Sequence, residues 1–208
     1  SGFFLQPRMG LCFCAPRFYI SPLPPTVGAM PFDGRKRNQR TVNVMAKQLP
    51  KRKKRADSFL GIHFDFHAGP DCNKIGESVT RKMIEDIVLQ VRPDYIQCDC
   101  KGHRGISSYP TKVAYPAPGF VRDQLRLWRE VTAKHGVALF MHYSGVWDTE
   151  AVRHHPSWAA VDADGKRNKK NTSVFGPYVD RLLIPQMKEL SDVYGVDGVW
   201  VDGECWAT

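Results

Sequence analysis

From Ala56 onward, short runs rich in aromatic and β-branched residues alternate with longer runs of helical period, and this alternation constrains the fold most. Ser58–His67 (SFLGIHFDFH), Asp94–Lys101 (DYIQCDCK), Val137–Ser144 (VALFMHYS) and Val196–Glu204 (VDGVWVDGE) read as strands. Between the first two, Val79–Val91 places Met83, Ile84, Ile87, Val88 and Val91 on one helical face, with Ser78 or Thr80 as N-cap. Phe120–His135 is a second helix with Leu125, Leu127, Trp128 and Val131 apolar and Gly136 as its stop. Tyr178–Tyr194 is a third, bent at Pro185 and ended by Gly195. Strands alternating with helices imply right-handed βαβ units and a parallel sheet. The helix-to-strand junctions are short, whereas residues 102–119 and 145–177 are long connections after strand ends. A (β/α)₈ TIM barrel shows that asymmetry, because its functional loops leave the C-terminal ends of its strands. A doubly wound sheet is the alternative, but no Gly-rich phosphate turn follows the first strand. Sequence therefore predicts an α/β fold: a TIM barrel truncated after about four βα units, since the chain stops at Thr208, just past the fourth strand.

Residues 1–57 read differently. They hold twelve Lys/Arg against two Asp/Glu, five prolines in the first 25 positions and the run Lys51-Arg52-Lys53-Lys54-Arg55. Without an amphipathic period, such a segment cannot offset its ordering entropy by apolar burial, so a disordered basic leader is expected over 1–57. Met45 reads as a natural start, which would make 1–44 an upstream extension. The remaining residues 58–208 carry 18 basic and 19 acidic groups, so the formal charge of +9 belongs to the leader. Nucleic-acid binding is therefore not expected of the folded part, because counterion release needs clustered cations on the binding surface. No run of 18 apolar residues, secretory signal or disulfide framework stands out among the six cysteines. Cys98 and Cys100 read as buried apolar strand residues. A cytoplasmic protein with no membrane partner is the expectation; its oligomeric state is not legible.

Each strand ends in polar groups. Alternate strand residues share a face, so His63, Asp65 and His67 fall together, as do Gln97, Asp99 and Lys101, with His103 just beyond. The third strand offers His142, Tyr143 and Ser144, and the fourth Trp200, Asp202 and Glu204. Burying such groups without partners is costly, and the same pattern on four strands points to a common polar pocket. His63 and Gln97 read as satisfied interior groups, and His67, His103, His142 and Asp202 as functional. Trp200 and Trp206, and more weakly Trp147 and Trp158, could offer an indole face to a sugar. No metal or cofactor is called for. His63 and His67 lie about 13 Å apart on an extended strand, too far to share an ion. Asp65 and His67 could share one, but local spacing fixes no third ligand.

With these residues in view, Ser58–Thr208 resembles the catalytic barrel of family 29 glycoside hydrolases, the α-L-fucosidases. Phe66–Gly69 (FHAG) is similar to the family's strand ending in His-Trp-Gly, and Lys101–Lys112 (KGHRGISSYPTK) to its Lys-His-His-Asp-Gly-Phe stretch. Met141–Asp148 (MHYSGVWD) is similar to its Tyr-Tyr-Ser followed by an aromatic, and Tyr194–Glu204 (YGVDGVWVDGE) to its Tyr-Gly…Trp-Phe-Asp-Gly. The departures are Gly102 in place of the first paired histidine, Arg104 in place of the following Asp, and His142 in place of a Tyr.

The resemblance implies a retaining glycosidase acting on a terminal sugar, with Asp202 as nucleophile. It implies substrate binding by His67, His103, His142, Trp200, Asp65, Lys101, Tyr143 and Trp206. Glu204 is a possible acid/base about 6.6 Å along the strand from Asp202, although in the family that role comes from later in the chain. The fragment itself would then be inactive. A non-catalytic carbohydrate-binding barrel and a metal-dependent TIM-barrel hydrolase are the alternatives, and the sugar and its anomer stay open.

Overall fold

A computed structural model describes residues 49–202. Residues 1–48 and 203–208 lie outside them, and with these most of the leader, Glu204 and Trp206. The four expected strands are present as β1 (Gly61–Phe64), β2 (Tyr95–Lys101), β5 (Ala138–Ser144) and β8 (Gly198–Asp202). They run in the order β1-β2-β5-β8, every pair parallel. The result is a mixed α/β fold with a parallel sheet. Among the described residues the sheet does not close into a barrel. No helix among them is long and apolar enough to cross a membrane.

Three helices cover one face of this sheet. Helix α1 (Arg81–Val91) begins at Thr80, whose hydroxyl accepts the Met83 N–H at 3.1 Å. Helix α2 (Gln124–Lys134) begins at Asp123, whose carboxylate accepts the Arg126 N–H at 3.0 Å. Gly136 and Gly195 follow α2 and α4 (Ile184–Asp192) with φ of 69° and 64°, the left-handed stop that glycine adopts without strain. The helical run expected over Tyr178–Tyr194 continues across Pro185. A π-helical stretch, Val179–Leu183, precedes α4, and Pro185 sits in the first turn of the α segment.

Ile84, Val88, Leu125, Trp128, Val131 and Leu190 pack against Ile96, Cys98, Leu139 and Met141 on the covered side of the sheet. Residues of the opposite parity form a concave face: Gly61, His63, Tyr95, Gln97, Phe140, Gly198 and Trp200. Two glycines are required there, because a Cβ at Gly61 would strike the Tyr95 ring and one at Gly198 would come within 2.7 Å of Phe140.

The long connections carry structure that hydropathy did not reveal. Residues 102–119 contain β3 (Ile106–Ser107), antiparallel to β2, and β4 (Tyr115–Pro116), which pairs with β3. Residues 145–177 contain the short helix α3 (Thr149–His154) and a hairpin of β6 (Ala159–Val161) and β7 (Arg167–Thr172). The sequence Arg-Asn-Lys-Lys-Asn-Thr of β7 is polar throughout, so it has no alternating pattern to read.

The basic run meets the sheet at its N-terminal end. Arg52 bonds Asp197 at 2.7 Å, and Lys53 bonds Asp94 at 2.6 Å. Residues 50–57 thus lie against the folded unit, through ion pairs that apolar periodicity cannot signal. The Lys53 ammonium, followed by the Phe59 and Leu60 N–H groups, holds the Asp94 carboxyl down at about 2, from an ordinary 3.8. A carboxyl depressed by folding adds stability above its ordinary value and loses it as pH falls toward the folded value. Asp94→Asn should therefore lower Tm at pH 7 and flatten the loss of Tm between pH 4 and pH 2; thermal melts across that range check both.

Candidate active site

The polar ends of the parallel strands meet on the concave side, around one imidazole. His142 leaves β5 beside Asp99 of β2 and Asp202 of β8. Its Nδ1 lies 2.8 Å from Asp99 Oδ1, and its Nε2 lies 3.2 Å from Asp202 Oδ2. Asp99 is fully buried, whereas the Asp202 side chain is 42% exposed. The ring therefore links a desolvated carboxylate to one that solvent reaches. Its bond to Asp99, then that to Asp202, raises the His142 pKa above its ordinary value, outweighing burial. The Asp202 backbone belongs to the same arrangement, since its carbonyl accepts the Gly145 N–H.

His67 completes the cluster from a different direction. Strand β1 ends at Phe64, so Asp65 and His67 do not share a strand face as expected; they lie in the loop that follows. The loop still brings His67 Nε2 to 2.9 Å from Asp65 Oδ1 and 3.4 Å from Asp99 Oδ1. The bond to Asp99 raises the His67 pKa despite partial burial. The His67 and His142 rings stack at 5.6 Å.

Gly102 makes this approach possible, because a Cβ there would come within 2.8 Å of the His67 ring. His103 lies 6.1 Å from His67, ring to ring, with its Nδ1 2.8 Å from Ser144 Oγ. The Trp147 indole stacks on His103 at 4.3 Å and 8°. Trp200 lies 5.2 Å from His142 and 5.9 Å from His63 and is half exposed. Asp65, His67, His103, His142, Trp200 and Asp202 are thus gathered in one place.

Lys101 and Tyr143 are not among them. The expected shared face of Gln97, Asp99 and Lys101 breaks at a register shift between Asp99 and Lys101, which sets Lys101 opposite Tyr143 rather than Ser144. An extra residue in a strand reverses its alternation, so Lys101 turns to the covered side. There it is fully buried, 2.6 Å from Asp148 Oδ2 and 2.7 Å from the Tyr178 hydroxyl, with its ammonium 4.3 Å over the Tyr143 ring. Burial lowers the Lys101 pKa, and Asp148 opposes that shift. The Tyr143 hydroxyl donates to Gln186 at 2.8 Å. Asp148 also caps α3 through the Ala151 N–H at 2.8 Å, and Tyr178 donates to the Gly145 carbonyl at 2.8 Å. This network holds the loop that carries Trp147.

Sequence reasoning passed over Asp148, which reads as an ordinary loop carboxylate. The Asp-x-x-Ala spacing ahead of a helix was the available signal. It also gave His63 no functional part, yet the His63 ring lies 5.3 Å from His142.

No protein-family model and no curated protein sequence matches the chain. Among solved structures, the chain is similar to α-L-fucosidase isoenzyme 2 from Paenibacillus thiaminolyticus, with a TM-score of 0.61 and 22% identity over 70% of this chain and 23% of that one. It thus spans under a quarter of that enzyme's length, and the likeness is one of fold. An α-L-fucosidase from Lactobacillus casei matches with a TM-score of 0.45 and 23% identity over 62% of this chain and 43% of that one. An α-fucosidase from Thermotoga maritima matches with a TM-score of 0.44 and 19% identity over 60% and 28%. These last two similarities are too low to add to the first.

Proposed function

We propose that the chain contributes the nucleophile half of a retaining glycoside hydrolase of α-L-fucosidase type, acting on a terminal sugar, with its four parallel strands as the first units of a (β/α)₈ barrel. The observation that carries this reading is the Asp99–His142–Asp202 chain at the C-terminal ends of three neighbouring parallel strands. A retaining glycosidase attacks the anomeric carbon with an ionised carboxylate. Asp202 is partly exposed and has an imidazole nitrogen 3.2 Å from one carboxylate oxygen. Buried Asp99 fixes the orientation of that ring.

His67 and His103 have polar atoms suited to ring hydroxyls, and Trp147 and Trp200 offer apolar faces for the C–H side of a sugar. The proton donor is sought outside the described residues, with Glu204 the candidate on this chain. A retaining pair needs its carboxyls about 5–5.5 Å apart.

The test is covalent trapping. The full chain is incubated with 2-fluoro aryl glycosides of several sugars, then digested and mapped by mass spectrometry. A glycosyl adduct on Asp202 is the expected result; a panel that gives turnover with no adduct there removes Asp202 from the nucleophile's role. Binding with neither turnover nor adduct would select the non-catalytic carbohydrate-binding alternative. Trp147→Ala is expected to raise KM about 3- to 10-fold with little change in kcat, as loss of a stacking face worth about 0.5–1.5 kcal/mol requires. Initial-rate kinetics on the reactive glycoside check it.

A further inference from the structure

We propose that Asp65, His67, Asp99 and His142 bind one divalent transition-metal ion of borderline class, such as Zn²⁺ or Co²⁺, beside Asp202. One donor atom from each residue lies within 4.8 Å of the others. Known pair distances are 2.9 Å for Asp65–His67, 3.4 Å for His67–Asp99 and 2.8 Å for His142–Asp99. Four donors bound about 2.0–2.2 Å from one ion stand about 3.3–3.6 Å apart in a tetrahedron. Small movements of the exposed Asp65 and His67 side chains would bring their pair to that spacing, and the buried His142–Asp99 pair, now 2.8 Å apart, would open by about 0.5–0.8 Å.

Hydrogen bonding accounts for the same short distances but not for the other oxygen of Asp99. Asp99 Oδ2 is buried and has no hydrogen-bond partner, while both imidazoles meet Oδ1. A desolvated carboxylate oxygen left in this way is costly. A cation removes that cost by neutralising the carboxylate as a whole, and it can engage both oxygens.

The further partners suit a metal ligand. With Nδ1 on the ion, His142 directs Nε2 at Asp202 Oδ2, 3.2 Å away, the carboxylate–histidine–metal arrangement that fixes ring tautomer and orientation. Two imidazoles favour a borderline transition ion over Ca²⁺ or Mg²⁺, and two carboxylates balance its charge. The ligands also span both rigid and adaptable elements. Asp99 and His142 are buried on adjacent strands, whereas Asp65 and His67 are substantially exposed on the loop after β1. That exposed side leaves room for water or a pair of sugar hydroxyls to complete the coordination. Metal binding does not rest on the glycoside hydrolase reading.

The test titrates the full chain, stripped with chelator, with Co²⁺ by visible spectroscopy and with Zn²⁺ by calorimetry. One ion per chain is expected, with the d–d absorption of a low-coordinate N/O site and no thiolate-to-cobalt charge transfer. Asp65→Asn and His67→Ala lie at exposed positions and should keep the native circular dichroism while weakening the ion at least tenfold. Trp147→Ala, which removes a face offered to sugar but no group that meets a ligand in the cluster, should retain it, which separates this result from any change in glycosidase activity. Absence of binding, a thiolate band, or an affinity unchanged in both ligand variants would each overturn the proposal.

Discussion

Asp202→Ala is expected to lower kcat/KM on activated aryl glycosides by about 10³- to 10⁵-fold, a loss of about 4–7 kcal/mol of transition-state stabilisation. The loss should fall mostly on kcat. The groups offered to the ground-state sugar, His67, His103, Trp147 and Trp200, have partners of their own. His67 is held by Asp65 and Asp99, and His103 by Ser144 and Trp147. His142, which meets Asp202, also keeps its bond to Asp99. The vacated volume would admit a small anion, so azide should restore turnover and yield a glycosyl azide whose anomeric configuration is opposite to that of the substrate. Steady-state rates with and without azide, and product analysis by NMR, measure both effects. Turnover in the variant equal to that of the parent, without azide, would remove Asp202 from the mechanism.

The second large effect is on stability. Lys101→Met should cost about 3–5 kcal/mol, because it leaves the fully buried Asp148 carboxylate without its cation. For a domain of this size the loss corresponds to about 6–20 °C in Tm. Tyr178 and the Ala151 N–H still contact Asp148, so the carboxylate is not wholly abandoned. The double variant Lys101→Met, Asp148→Leu removes both charges and should recover a substantial part of the loss. Recovery should stop short by about 1 kcal/mol, the cost of the lost cap on α3. Urea denaturation of the two variants provides the comparison; a double variant less stable than Lys101→Met alone would contradict a net cost for the unpaired charge. Because the network holds the loop at Gly145–Asp148, Lys101→Met should also loosen Trp147 on His103, visible as a change in tryptophan fluorescence.

The contrast between Asp202 and Lys101 shows how far strand parity could be taken. Both sit near the carboxyl end of a predicted strand, in segments that resemble fucosidase motifs. Asp202 meets His142, as alternation along β5 and β8 requires. Lys101 lies beyond an irregularity in β2 and points the other way. Alternation is a property of a regular strand, and one irregular residue cancels it without leaving a hydropathy signal. The loop after β1 gives the converse case. Asp65 and His67 lie near each other as expected, though a turn rather than a shared pleat brings them together.

By itself, the sequence determined the order of the four parallel strands and the helices between them, the glycine stops at Gly136 and Gly195, the Thr80 cap and the helix-facing core. All of these follow from interactions within a few residues: periodicity, backbone conformation and local hydrogen bonds. The tertiary structure decided which side chains meet. His142 bridges Asp99 and Asp202, Lys101 is paired inside the sheet–helix layer, and Arg52 and Lys53 tie their segment to Asp197 and Asp94. Those partners are separated by 41 to 145 positions in the chain. Contacts at such separations depend on sheet register and loop path, and local patterns do not encode either.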